Sequence, residues 1–206
     1  MSNLPFSPAA DRNKAPILER LQAVLPSQGA VLEIASGTGQ HAVWFAAGLP
    51  GWHWQPTDFE AHALPAIDAR VAEADLTRVA PARRLDVMAP QWPAEGPAFS
   101  TLFDAMYCAN MLHIAPWATC AALMQGAARH LSPGGVLITY GPYLEHGVPT
   151  SPGNLAFDAS LRANHPDWGI RQLADVTEQA QHAGLALLQR HAMPSNNLLL
   201  VWGGPT

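Results

Sequence analysis

The sequence predicts an α/β fold in which helices cover a mostly parallel sheet of about seven strands. Segments with strand and helix character alternate along the chain, which is typical of a wound α/β sheet. Of the 206 residues, 49% are apolar and only 13% are charged, so a large core is expected. A glycine turn at residues 36–39 joins an apolar run to a helix-compatible stretch. We therefore expect one domain over residues 1–206.

The first half of the chain has the strand–turn–helix pattern of such a sheet. Apolar residues at helical spacing predict a helix over 14–25, which Pro26 ends. The apolar run at 30–35 predicts a buried parallel strand. The other elements predicted in this half are a helix at 40–48, a strand at 52–57, a helix at 60–73, a short strand at 84–87 and a proline-rich connection at 88–97.

The second half continues the alternation and then changes character. We predict a strand over 102–109, a helix over 117–131 that ends at the Ser-Pro-Gly-Gly turn 132–135, and a strand over 136–140. An irregular stretch at 141–154 is followed by helices near 155–164 and 172–183 and by strands at 185–191 and 198–202. The connection between the last two strands is too short for a parallel crossover, so the sheet should finish with an antiparallel strand near its edge.

The strongest functional signal lies at the end of the first strand. Gly37 and Gly39 follow that strand and precede a helix, so backbone N–H groups and the positive helix end can approach a ligand closely. Glu33 lies inside the strand, where a carboxylate needs a polar or cationic partner. A diphosphate would be a poor partner for this acid. The amino end of S-adenosylmethionine (SAM) would be a good one.

Further polar residues follow the other predicted strands, where ligands of wound sheets gather. Asp58 suits a ribose diol, and Asp86 suits an adenine amino group while Val87 packs against the ring. The predicted cofactor-binding residues are Glu33, Ala35, Gly37, Gly39, Thr57, Asp58, Asp86, Val87, Asn110 and Met111. The candidate catalytic residues are His113 and Tyr140, and the candidate acceptor-binding residues are Arg12, Asn13, Tyr143 and Asn197.

Each of these assignments has an alternative. The glycines could form only a tight turn, Asp58 could be a helix cap, and His113 could be a core histidine. The spacing Gly37-x-Gly39-x-x-Ala42 with a later acid is also similar to a dinucleotide fingerprint, so an NAD-dependent oxidoreductase stays open. Glu33 and the closing hairpin argue against it. A ligand-binding module without catalytic activity is the third alternative.

Composition and charge argue against several classes of binding partner. The net charge of −5 and the absence of a basic stripe argue against nucleic acid. No apolar run is long enough for a membrane span and no secretory signal opens the chain, so a cytoplasmic location with both cysteines reduced is expected. The nine histidines lack metal-site spacing, so no metal is expected. An exposed face of Trp52 or Trp202 could pair two copies, which leaves a homodimer open.

Longer motifs resemble known families. Glu-Ile-Ala-Ser-Gly-Thr-Gly at 33–39 resembles motif I of class I SAM-dependent methyltransferases. The chain further resembles the DUF938 or UPF0585 group, which includes methyltransferase-like protein 26, at residues 11–18, 32–41, 54–58, 110–114, 140–143, 164–171 and 193–198. It departs from the group's usual pattern at Thr57, where serine is usual, and at Leu112, where isoleucine is usual.

The resemblance implies a Rossmann-like class I methyltransferase sheet that binds SAM and leaves S-adenosylhomocysteine (SAH) as product. The expected reaction is methyl transfer, and a small-molecule acceptor is expected because the sequence shows neither a basic face nor a signal of a long open groove; the O, N or S atom stays open. In such an enzyme, residues 1–14 are a candidate lid and residues 141–183 a candidate substrate-shaping insertion.

Overall fold

The structure, a computed structural model, describes residues 4–93 and 95–204. Its eight strands form a mixed sheet, mostly parallel with antiparallel pairing near the C-terminus, which confirms the predicted fold class. Contacts between residues cluster in two compact units, residues 1–107 and 108–206. The single domain expected over residues 1–206 stays a prediction.

The first unit is built on parallel strands in the order β3-β2-β1. Its elements are α1 (Pro8–Val24), β1 (Gly29–Ile34), α2 (Gln40–Gly48), β2 (Trp52–Asp58), α3 (Leu64–Glu73), β3 (Arg83–Arg84) and most of β4 (Phe103–Ala109). In the parallel register of β1 and β2, Glu33 lies opposite Pro56. Because the two strands end at the same level, Glu33, Thr57 and Asp58 come close to the turn that follows β1.

Helix α1 begins earlier than predicted. Ser7 is its N-cap and accepts a hydrogen bond from the Ala10 N–H at 3.2 Å, and Pro8 occupies the first turn, where its missing N–H is harmless. The apolar spacing revealed only the part from residue 14, because the preceding turns carry few apolar residues. The candidate lid covers residues 1–14. Residues 8–14 of it are helical, and residues 1–3 lie outside the described part of the chain.

The second unit ends in the predicted antiparallel hairpin. Its elements are α4 (Ala118–His130), β5 (Leu131–Leu144), α5 (Pro152–Asn164), β6 (Arg171–Gln172), α6 (Leu173–His182), β7 (Ala186–Met193) and β8 (Asn197–Gly203). Strand β8 lies between β5 and β7 and is antiparallel to both. A turn at 194–196 makes the connection, so the hairpin is confirmed.

Strand β5 is longer than predicted, and the irregular stretch is shorter. The prediction of an irregular segment over 141–154 is wrong at both ends, because β5 runs to Leu144 and α5 begins at Pro152. Gly141 and Pro142 indicate a loop in the sequence, but pairing with β8 and with the unpredicted β6 keeps this segment extended. Tyr140 therefore lies inside the strand and not at its carboxyl end.

The core contains several large aromatic side chains, and the burial of two of them corrects one expectation from the sequence. Trp52 and Trp202 are 1% and 0% exposed, so neither offers the open face that was expected to pair two copies. A homodimer stays a prediction without that support. Among the described residues, no helix has the length and apolar character needed to cross a membrane.

Candidate functional site

In the first unit, the turn after β1 is held in an uncommon backbone conformation. Ala35, Gly37 and Gly39 all have positive φ, at 58°, 56° and 75°. For alanine this conformation is strained, and strain of this kind is often found at functional sites. Hydrogen bonds from Ser36 N–H to the Thr57 carbonyl (2.8 Å) and from Gly39 N–H to the Ser36 carbonyl (2.9 Å) hold the turn. Gly39 is also the N-cap of α2, so the positive end of that helix lies at the turn.

Glu33 is a buried acid beneath this turn. Its side chain is 2% exposed, and its Oε2 accepts a hydrogen bond from the Trp54 indole N–H at 2.6 Å. Burial raises its pKa from 4.5 to about 7, against the hydrogen bonds from Trp54 and Ser36, while the nearby Asp58 charge raises it further. Among the described residues, no lysine, arginine or histidine forms an ion pair with Glu33. The site therefore has a buried carboxyl group that forms no ion pair with a cationic side chain among the described residues.

Asp58 connects the end of β2 to the same turn. Its Oδ2 accepts a hydrogen bond from the Gly37 N–H at 2.7 Å, and its Oδ1 accepts one from the Glu60 N–H at 2.9 Å. The contact with Glu60 does not cap a helix, since Glu60 is itself the N-cap of the following short helix, which has no side-chain capping hydrogen bond. Each oxygen of Asp58 keeps a second lone pair for a ligand. Thr57 is fully buried, and its hydroxyl donates to the Glu33 carbonyl at 2.6 Å. Thr57 therefore stabilises the end of β1, next to the glycine turn.

The predicted adenine-binding pair lies beyond its strand. Strand β3 ends at Arg84, so Asp86 and Val87 belong to the following turn. Asp86 Oδ1 accepts a hydrogen bond from the Met88 N–H at 2.8 Å, and the Val87 side chain is buried. Asp86 is half-buried, so its carboxylate also has a structural role in the turn.

Sequence reasoning missed two residues that tie the N-terminal segment to the glycine turn. Gln40 Oε1 accepts from the Ser7 N–H at 2.6 Å and from the Thr38 hydroxyl at 2.9 Å. Arg70 donates to the Thr38 carbonyl at 2.9 Å and to the Pro5 carbonyl at 2.6 Å. Gln40 lies in a motif that resembles the DUF938 family, but nothing in the sequence places Arg70 there.

The expected acceptor-binding residues of α1 differ in their surroundings. Asn13 Oδ1 lies 2.6 Å from His41 Nε2, and His41 Nδ1 lies 3.3 Å from the Tyr107 hydroxyl. Arg12 is exposed on the helix. Asn13 therefore anchors α1 to α2, and its proposed contact with an acceptor has no support from these hydrogen bonds.

In the second unit, the residues after β4 gather beside β5. Asn110 has a positive φ of 56°, and its N–H donates to the Tyr140 carbonyl at 2.8 Å. His113 lies in the short helical turn 112–114. A side-chain carbon built on Gly141 would be 3.6 Å from both Asn110 Oδ1 and His113 Nδ1, so these two polar groups converge on one point of the strand. Glycine leaves that point open.

A small pocket of about 10 Å³ lies at this place. Its lining includes Met111, His113, Tyr140 and Tyr143. This volume has room for about one water molecule. The structure thus brings four of the predicted residues together around a space too small for an organic acceptor.

Two of the predicted acceptor-binding residues, Tyr143 and Asn197, make hydrogen bonds within the protein. The Tyr143 hydroxyl donates to Thr139 Oγ1 at 3.0 Å, and burial raises the pKa of Tyr143 well above its ordinary value. Asn197 opens β8, and its Nδ2 donates to the Pro194 carbonyl at 3.1 Å. Both contacts stabilise the fold locally.

A segment that carries the resemblance, residues 164–171, supports the turn that bears His113. The Gly169 N–H donates to the His113 carbonyl at 2.9 Å. Arg171 donates to the carbonyls of Leu112 at 3.0 Å and Ala115 at 2.6 Å. The sequence identified this segment without giving its residues a role, because their partners are distant in the chain.

We expect His41 and His113 to stay neutral from pH 8 down to about pH 5. Burial lowers the pKa of each to about 4, and a nearby cation, Lys14 or Arg171, adds to the effect. Their neutral burial stabilises the fold above pH 6.5, and this contribution is lost as the pH falls from 6.5 through 4. The Cε1–H shifts of the two rings, assigned with His41→Gln and His113→Gln, should show midpoints near 4. Midpoints near 6.5 would contradict the burial.

Solved structures share this fold. The S-adenosylmethionine-dependent methyltransferase SibL is 20% identical, with a TM-score of 0.78, and the match covers 96% of this chain and 56% of SibL. An O-methyltransferase family protein from Burkholderia thailandensis is 18% identical, with a TM-score of 0.78 and coverage of 96% and 58%. NcsB1, an O-methyltransferase from neocarzinostatin biosynthesis in complex with SAH and 1,4-dihydroxy-2-naphthoic acid, is 15% identical, with a TM-score of 0.74 and coverage of 96% and 55%.

The fold is therefore the Rossmann-like α/β fold of these methyltransferases, and the chain spans a little over half of their length. The chain belongs to the DUF938 family, described as a protein of unknown function, whose sequence profile matches residues 4–203.

Proposed function

We propose that this protein is a SAM-dependent methyltransferase that transfers the methyl group to a small-molecule acceptor. The observation that carries the proposal is the buried Glu33 carboxyl group, which has a pKa of about 7 and no cationic partner among the described residues. It lies next to a glycine turn at a helix N-terminus. A ligand with a cationic amino group beside an adenosyl group satisfies both features.

The turn fits such a cofactor. A side-chain carbon at Gly37 would meet no atom within 4 Å, so space is available above its backbone. The remaining lone pairs of Asp58 suit the two hydroxyl groups of a ribose. When bound, SAM would supply a methyl group activated by the sulfonium charge. Glu33 would hold the amino group, and the strained turn would keep the backbone close to the ligand.

For the methyl acceptor, the protein must mainly provide the correct orientation of the attacking atom. Displacement at a sulfonium needs the attacking atom on one axis, and the proton of the acceptor must be removed where there is one. His113 is neutral at physiological pH, and the pocket beside it has room for about one water molecule, so its ring would reach an acceptor hydroxyl or amine through that water. A pKa near 4 makes it a weak base, so we assign it orientation and polarisation, with Tyr140 beside it in the same pocket.

Turnover tests this function. Methyl-labelled SAM is incubated with the protein and a metabolite extract, and label transfer to small molecules is followed. The proposal predicts labelled product, with a lower rate for both His113→Ala and Tyr140→Phe on the acceptor that is found. Tight SAM binding without any transfer would favour a non-catalytic binding module. Intact turnover in both variants would remove the roles proposed for these two residues.

The finer assignments are also proposals. We place the chain with the UPF0585 group that includes methyltransferase-like protein 26, in the cytoplasm, acting without nucleic acid or membrane. The net charge of −5 supports the exclusion of nucleic acid, since phosphate binding needs a basic surface. Competition between SAM and NAD for the purified protein separates the methyltransferase from the oxidoreductase alternative.

A further inference from the structure

The second unit has a larger cavity than the pocket at His113. Its volume is about 280 Å³, close to the lower end for small-molecule sites. Apolar walls come from Trp117, Leu144 and Ile170, and the charged groups in the lining are Arg162, Arg171 and Asp175. The lining therefore carries two positive charges and one negative charge.

Arg162 is held in place from two sides. Its Nε donates to Asp158 Oδ2 at 2.9 Å, one helical turn away on α5. On the other side its guanidinium packs against Gly169, where a side-chain carbon would lie 2.6 Å from Nη2. Gly169 has a φ of 151°, which side chains disfavour, so glycine provides both the backbone conformation and the space. The segment 164–171 thus makes room for this guanidinium.

Arg171 is held by more hydrogen bonds than Arg162. Its Nε and Nη2 donate to the carbonyls of Leu112, Ala115 and Asp167, and its guanidinium lies 5.5 Å from the centre of the Trp117 ring. Among the described residues, its Nη1 has no hydrogen-bond partner. Burial lowers the pKa of Arg171, and the positive charge of Arg162 lowers it further. An anion between the two guanidinium groups would relieve this repulsion.

We propose that this cavity binds a small carboxylate-bearing molecule with a flat, apolar body. A planar guanidinium with unused N–H groups matches a carboxylate in shape and charge. The indole and the aliphatic side chains suit a ring or a short hydrocarbon. The two arginines face two carboxylates, Asp175 in the lining and Asp158 in the ion pair with Arg162, so there is no excess positive charge for a phosphate dianion and a monoanion is the better match. The Asp158 charge is compensated by Arg162, and Asp167 Oδ2 lies 3.9 Å from His165 Nδ1.

This inference stands on the cavity and its charges and does not depend on methyl transfer. Binding can therefore be measured on the protein without cofactor. Benzoate is the probe, and benzamide is its uncharged counterpart of the same shape. The Trp117 indole N–H resonance, assigned with Trp117→Phe, reports occupancy during each titration.

We expect benzoate to bind the wild type and benzamide to bind at least about 10-fold more weakly, since a charged contact is lost. Arg162→Gln should weaken benzoate binding by about 10-fold. Asp158→Asn keeps the guanidinium and removes a negative charge that lies outside the lining, so benzoate should bind no more weakly than to the wild type and at most about twofold more tightly. Asp175→Asn should tighten benzoate binding about threefold, because it removes a negative charge that repels the ligand. Arg129→Gln, an exposed arginine on α4, is the matched control and should change nothing.

Several results would overturn the proposal. One is the lack of any benzoate effect on the Trp117 resonance of the wild type at millimolar concentration. Equal binding of benzamide, or unchanged affinity in Arg162→Gln, would show that the arginines do not recognise the ligand. Inorganic phosphate that displaces benzoate with equal or higher affinity would contradict the carboxylate assignment. A thermal melt checks the folding of Arg162→Gln, which we expect to be unchanged because the Arg162 side chain is 53% exposed.

Discussion

Replacing Gly39 by alanine is expected to destabilise the protein by about 3 kcal/mol and to weaken SAH binding at least about 100-fold. The left-handed backbone at φ 75° accounts for about 1–2 kcal/mol of this loss. The rest comes from contact, because the new carbon would lie 3.1 Å from the Cα of buried Ile67 on α3. Backbone at a helix cannot move as a flexible side chain can, so α3 or the turn must shift.

Gly134→Ala is the matched control for this variant. Gly134 has a φ of 80°, and a side-chain carbon there would meet no atom within 4 Å. It should lose only the conformational part, about 1–2 kcal/mol, and leave SAH binding unchanged. Urea unfolding gives the stabilities, and calorimetry gives the affinities. Equal stability loss in the two variants, with SAH binding retained in Gly39→Ala, would contradict the close packing of the turn.

The second large effect concerns Glu33 and pH. If the ligand's amino group binds the ionised carboxyl group, SAH affinity should fall about 10-fold between pH 8 and pH 6, because the pKa of Glu33 is about 7. Glu33→Gln should bind weakly at both values and lose this dependence. Glu73→Gln, an exposed acid on α3, should behave as the wild type. An unchanged affinity in Glu33→Gln would contradict the proposed contact.

The same residue predicts an opposite change in stability. Its pKa in the folded state, about 7, lies above its ordinary value of 4.5, so the folded protein binds the proton more tightly than the unfolded chain. The stabilisation is complete below pH 4.5 and is lost as the pH rises to 7. At pH 8, Glu33→Gln should therefore be more stable than the wild type by about 3 kcal/mol. No stability gain in urea unfolding at pH 8 would contradict the burial of an uncompensated acid.

The sequence predicted most elements of the fold because their signals are local. The apolar run of β1 and the glycine turn need no distant partner to be recognised, and the hairpin followed from the length of one connection. The errors concern α1, β5 and β3, which ends at Arg84 and not at residue 87. Residues 141–144 are extended only because β8 and β6 pair with them, and the first turns of α1 depend on the Ser7 cap.

The candidate site was predicted less completely than the fold. Glu33, Thr57 and Asp58 were found because strand ends are predictable, and the structure brings them to one turn. Arg70, Arg162 and Arg171 received no role, since their partners lie far away in sequence and an arginine carries no local signal. Tyr143 and Asn197 were assigned to an acceptor, but their polar groups make hydrogen bonds within the protein.

Calorimetric titration of ligand-free protein with SAH at pH 7, in two buffers of different ionisation enthalpy, tests the Glu33 account most directly. We predict binding with release of about half a proton, since a group with a pKa of about 7 is half protonated at that pH. The release should vanish in Glu33→Gln, and NAD should give no heat. Absence of heat with both SAM and SAH, or proton release that persists in Glu33→Gln, would contradict a cation-binding acid beneath the glycine turn.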